Sequence, residues 1–208
     1  MGLLIRAITL VIFLSGCSSF VIKNIEPKYG KFFERKIDTT KLPIDAKLIS
    51  FNSRDFIYGY SYNLDHSSNK KIIQTDEIIF EEICSKLIKT FGLYNDFEIL
   101  EYDCDIFKNL ANAGLKIPYS QANVLIKFSN PKTTFLNMDL SYKVVDRDSS
   151  SLVAGKKLEN LTLIEESFRV KKIGWKGKNY YWLNREEEII KTIQFNEPGF
   201  YYIKVQSI

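Results

Sequence analysis

Histidine is almost missing from this chain, and what is missing narrows its chemistry. The one histidine in 208 residues, His66, lies in "LDHSSNKK", a polar stretch that reads as a turn. Metal centres and hydrolytic triads rely on an imidazole held in place by a second group, and a loop histidine among serines is normally solvated. There is no H-E-x-x-H, no G-x-S-x-G and no phosphate-cradling G-x-x-x-x-G-K; the Gly-Lys pair in "AGKKLE" has Ser150 where the first loop glycine belongs. No apolar run reaches the ~20 residues of a membrane-spanning helix. Repeats and low-complexity tracts are absent as well. The formal net charge of +4 is too small to imply nucleic acid as a partner. Neither metal, cofactor nor enzyme activity is therefore expected.

Cysteine is scarce too, and the first of the three opens the positive reading. Arg6 stands near the start, a mostly apolar run extends from Ala7 to Leu14, and "LSGC" follows. An apolar stretch of this length behind a cation is a secretory signal. Leu14-Ser15-Gly16-Cys17 resembles the lipobox of bacterial lipoproteins. That resemblance implies cleavage before Cys17, a thioether-linked diacylglycerol on its thiol and a further acyl chain such as palmitate on the freed amine. Two or more chains anchor stably where one binds only marginally. Ser18, rather than an aspartate, follows the cysteine, which in that family implies the periplasmic face of the outer membrane. In a host with another sorting rule the inner or sole membrane takes its place. The covalent lipid is the one attached group expected.

Residues 1–16 are thus read as signal peptide and 17–42 as a lipidated tether, where lysines and arginines mix with acids around Pro27 and Gly30. Residues 43–208 are read as a single α+β periplasmic domain, with a possible sub-boundary near 156. Fifteen Phe and twelve Tyr favour strands and a sizeable core. "IDAKLISF" (44–51) predicts a strand, and so does "FIYGYSY", which the two-residue period splits into Phe56, Tyr58, Tyr60 and Tyr62 on one face. Thr75 followed by Asp76 and Glu77, with Ile79, Phe80, Ile83, Cys84, Leu87, Ile88 and Phe91 at three- and four-residue spacings and Gly92 as a stop, predicts a long amphipathic helix. A strand at 97–102 and a short helix from Asp105 to Ala113 follow. Val124, Ile126 and Phe128, then Leu136, Met138, Leu140, Tyr142 and Val144, predict a hairpin whose other face carries Asn137, Asp139, Ser141 and Lys143. "DRDSSS" reads as a turn before a third strand, "NREEEIIKTI" as a short capped helix, and "FYYIKV" as a last strand. The fold class expected is α+β: a mainly antiparallel sheet with one long helix and one or two shorter ones packed on it.

This order, with "ANVLIKF" and "LSYKVVDRDSSSLVAG", is similar to the small α+β domains of outer-membrane accessory lipoproteins, such as penicillin-binding-protein activators and curli-secretion lipoproteins. The resemblance implies a fold and no binding residues.

Candidate sites are few. Asp103 with Asp105, Glu165 with Glu166, and Glu186 to Glu188 are the carboxylate groups available for acid and base work, and each also has an ordinary structural reading. Tyr58, Tyr60 and Tyr62 form one aromatic stripe, and Tyr180, Tyr181 and Trp182 a second. Such rings serve either as an interface or as sheet packing. Once Cys17 is lipidated, Cys84 and Cys104 are the pair left to form a disulfide; the alternative is a buried thiol and a free one. The function expected is a lipid-anchored, non-catalytic accessory or assembly module that binds another envelope protein. The alternatives are a peptidoglycan- or small-ligand-binding lipoprotein and a glycan hydrolase.

Overall fold

The computed structural model describes residues 46–51, 55–63, 70–76, 78–93, 95–103, 105–112, 119–129, 132–196, 198 and 202–207. These form β1 (Ala46–Phe51), β2 (Asp55–Asn63), β3 (Lys70–Gln74), β4 (Ile79–Ile83), β5 (Lys86–Phe91), β6 (Phe97–Ile99), α1 (Asp105–Asn112), β7 (Tyr119–Phe128), β8 (Thr134–Val153), β9 (Lys156–Val170), β10 (Trp175–Leu183), β11 (Ile189–Phe195) and β12 (Tyr202–Ser207). Each strand pairs with its neighbours in sequence, and β12 pairs back onto β1, so the sheet closes into an up-and-down barrel. Closure gives every strand two partners and leaves no exposed edge.

The α+β expectation is therefore overturned: the fold is an antiparallel barrel, and α1 is its one α-helix among the described residues. The long helix expected over Thr75–Phe91 is instead the β4–β5 hairpin, paired from Ile79↔Phe91 to Ile83↔Lys86. Cys84 and Ser85 form its turn with φ of 49° and 60°, the primed geometry that suits the twist of a two-residue hairpin. Two features produced the helical spacing. A register shift between Glu81 and Glu82 displaces the alternation, and β5 buries Lys86, Leu87 and Ile88 consecutively. The β-branched and aromatic content of the segment favours strands, and tertiary pairing decided in their favour. Thr75 caps a tight turn and not a helix: its Oγ accepts from the Ile78 N–H and its own N–H donates to the Ile78 carbonyl, both at 2.9 Å.

Two further segments differ in the same sense. "DRDSSS" does not turn the chain; three register shifts between Val144 and Ser151 bend β8 without ending it. "NREEEIIKTI" is a turn followed by β11. Asn184 closes the turn by accepting the Glu188 N–H at 2.8 Å, and Glu187 takes a positive φ of 63°. The short helix predicted from Asp105 is present as α1, and Asp103 accepts the Asp105 N–H at 2.9 Å at its start. The β7–β8 hairpin also forms as expected, with Val124 opposite Met138 and Ile126 opposite Leu136.

The inward residues among those described form the core. Ile49, Ile73, Phe80, Leu87, Ile126, Leu136, Met138, Leu140, Phe168, Trp175, Ile203 and Val205 belong to one buried cluster, which also takes Ile106, Phe107 and Leu110 from α1. Phe107 lies against Tyr142 and Tyr181, with ring centroids 5.8 and 4.7 Å away. A second apolar cluster of Leu161, Leu163, Tyr180, Trp182 and Ile193 lies on the opposite face of β9–β11. The end of the long β8–β9 hairpin meets that wall: Lys191 of β11 donates to Ser151 Oγ and the Leu152 carbonyl, at 2.9 and 2.7 Å, and Gln206 of β12 accepts the Ala154 N–H at 2.7 Å.

Candidate functional site

The residues singled out in the sequence do not converge. Cys17, His66 and Cys104 lie outside the described residues, while Cys84 is disulfide-bonded. Tyr58, Tyr60 and Tyr62 belong to β2, with side chains outside the described set. Tyr180, Tyr181 and Trp182 are 4%, 0% and 6% exposed, so the second stripe is packing and presents no open surface. Tyr181 faces the interior, and its two neighbours face the second cluster. The carboxylates do not oppose one another. Asp103 sits at the start of α1, Glu186 to Glu188 are exposed in the β10–β11 turn, and adjacent Glu165 and Glu166 point to opposite faces of β9.

Glu166 leads to a polar network that sequence reading did not anticipate. It is fully buried inside the barrel, where Lys86 Nζ and Asn179 Nδ2 both donate to Oε1 and Tyr181 OH donates to Oε2 at 3.4 Å. Lys86 itself is 1% exposed. Asn179 Oδ1 accepts the Phe195 N–H at 2.7 Å, and Gln194 Oε1 accepts the Leu87 N–H at 3.0 Å while its amide nitrogen donates to the Ser85 carbonyl at 2.9 Å. Burial, reinforced by the nearby Glu166 charge, pushes the phenols of Tyr102 and Tyr181 well above their ordinary range. They stay neutral, and Tyr142 OH donates to Tyr102 OH at 3.3 Å. A charge removed from water must be paired and hydrogen-bonded, and Glu166 is both. With its oxygens engaged by three donors and no solvent reaching it, this carboxylate holds strands together.

The outer wall of β7–β10 is built differently. Alternation sends Asn137, Asp139, Ser141 and Lys143 of β8 outward beside Glu165, Ser167 and Arg169 of β9 and Lys176 and Lys178 of β10. An open depression runs over Asn123, Phe135, Leu136, Asn137, Asp139, Lys171 and Lys172. Lys171 and Lys172 are placed there by a one-turn 3-10 segment, Lys171–Ile173, which Gly174 ends at a φ of 66°, where a side chain is disfavoured. Asp139 accepts from Lys171 Nζ at 3.0 Å and from Asn123 Nδ2 at 2.8 Å, and those bonds hold its carboxyl below the usual range. Glu165 is shared by Lys143 and Lys178, at 3.0 and 3.2 Å. Phe135 is 52% exposed and Ile173 47%. The wall offers cations, amides and apolar side chains to whatever lies against it.

The β8 part of this wall was legible in the alternation of Asn137, Asp139, Ser141 and Lys143. The β9–β10 part was missed, although "FRVKKIGWKGK" carries five cations in eleven residues, spaced for a sheet and its turn. The interior network left a fainter trace: Lys86, Glu166, Asn179 and Gln194 are polar residues next to strongly apolar ones.

No protein-family model matches this chain, and no curated protein matches it in sequence. Among solved structures, the barrel is similar to the crystal structure of the hypothetical lipoprotein YmcC from Escherichia coli K12, with a TM-score of 0.64 and 13% identity over 79% of this chain and 83% of that one. The likeness establishes a shared fold.

Proposed function

We propose that the chain is a lipid-anchored cell-envelope protein, tethered through Cys17 at the periplasmic face of the outer membrane, that acts as a non-catalytic docking module. The observation that carries this reading is the outer wall of β7–β10, where a depression with cations and an exposed Phe135 lies on a rigid closed sheet. Among the described residues the barrel interior holds apolar side chains and a hydrogen-bonded polar network around Glu166, which favours a surface as the working part. The lipobox Leu14 to Cys17 and the fold shared with a protein titled a lipoprotein support the anchor.

Two measurements test it. Cys17→Ala is expected to abolish incorporation of a fatty-acid probe, and undiminished labelling refutes the anchor. A photo-crosslinker at Asn137 or Lys143 is expected to capture an envelope component in cells, while one at Arg185 in the β10–β11 turn captures much less. Equal capture at both positions removes the wall from consideration.

A further inference from the structure

We infer that the outer wall of β8–β10 docks onto an anionic lipid surface, laying the barrel on its side against the membrane that holds its anchor. This rests on the docking reading above and names the partner of the same surface.

Charge is the first support. Over the paired stretch from Asp139 to Lys143, its β9 and β10 partners and the 3-10 segment, the wall carries Lys143, Arg169, Lys171, Lys172, Lys176 and Lys178 against two carboxylates, Asp139 and Glu165. Both carboxylates are engaged by lysines of the wall itself, and Arg169, Lys171, Lys172 and Lys176 are exposed on its surface. Each cation close to an anionic bilayer contributes about 1 kcal/mol.

Apolar side chains are the second support. Phe135 and Ile173 project at the margin of the basic field, and Leu125 lies on the neighbouring β7, 38% exposed. Cations beside exposed Phe, Ile and Leu match what a headgroup layer accepts, since rings enter the acyl boundary while ammonium groups stay at phosphate level. Spacing is the third. Neighbouring strands are ~4.8 Å apart and same-face residues ~6.8 Å apart along a strand, so the cations are spread over the wall and do not converge on one small anion. A lipid anchor on the same chain raises the effective concentration of that surface, which lets a modest affinity suffice.

The test uses the mature lipidated protein reconstituted into vesicles of phosphatidylcholine alone or with phosphatidylglycerol, followed by lysine acetylation and mass spectrometry. In the anionic vesicles, Lys171, Lys172 and Lys143 are expected to be labelled at least about fivefold more slowly, the factor equal to ~1 kcal/mol of one lipid contact. Lys156 and Lys157, at the far end of the β8–β9 hairpin, are expected to label equally in both. Protection is expected to vanish in 1 M salt, where the Debye length falls to about 3 Å. Lys171→Glu with Lys172→Glu is expected to abolish the protection of Lys143 while the protein still floats with the vesicles. Equal wall labelling in both vesicle types overturns the inference, and so does protection by a soluble acidic polysaccharide without protection by vesicles. Failure to float with either vesicle type would instead strike the anchor, so the two readings fail separately.

Discussion

Glu165 and Glu166 are neighbours on β9, both buried and both bonded to lysine, and they face opposite sides of the sheet. Glu166 turns into the barrel, where Lys86, Asn179 and Tyr181 replace every water it has lost. Glu165 turns outward to Lys143 and Lys178, whose side chains are 49% and 39% exposed. A one-residue step along a strand thus separates a pair buried on both sides from a covered carboxylate whose two lysines reach water. The docking proposal follows the same division, assigning stability to the inner face and a partner to the exposed part of the outer one.

The largest effect tests the inner half of this contrast. Glu166→Ala leaves Lys86 as an uncompensated buried charge and is expected to destabilise the protein by about 3 to 5 kcal/mol in denaturant unfolding. Combining Glu166→Leu with Lys86→Met is expected to recover most of that loss, because an apolar pair needs no partner. If the double variant is no better than the single one, the network does more than satisfy itself.

Leu140, also inward, tests apolar packing at the same level. Leu140→Ala is expected to cost about 2 to 5 kcal/mol through lost transfer energy and the cavity it leaves. The disulfide of Cys84 comes next. Its turn leads into Lys86, and the Ser85 carbonyl accepts from Gln194, so the cross-link steadies one side of the inner network. Mass spectrometry of unreduced protein is expected to find Cys84 joined to Cys104, closing a loop worth roughly 3 kcal/mol in the chain-entropy model. A bond to any other partner changes which element it secures.

The smallest effects belong outside. Glu165→Gln is expected to cost at most about 1 kcal/mol, and Ser141→Ala about 0.5 or less. Losses matching those of Glu166→Ala and Leu140→Ala would mean that the two faces have been exchanged. Small losses with reduced protection of Lys143 on anionic vesicles would sharpen the contrast into one between structure and docking.

Local signals in the chain determined the parts that depend on near neighbours. Two-residue alternation placed Leu136, Met138, Leu140 and Tyr142 inside and Asn137, Asp139, Ser141 and Lys143 outside, and the start of α1 was readable at Asp105. The lipobox resemblance of Leu14 to Cys17 is likewise a matter of adjacent residues. Tertiary structure alone decided that Thr75–Phe91 is a hairpin, because a register shift and a burial run of three imitate helical spacing until the pairing partners are present. It alone closed β12 onto β1 and chose which of two adjacent glutamates faces the interior. Those outcomes rest on contacts between residues far apart in the chain, such as Lys86 with Glu166, and a linear pattern holds no record of which distant strand a side chain will face.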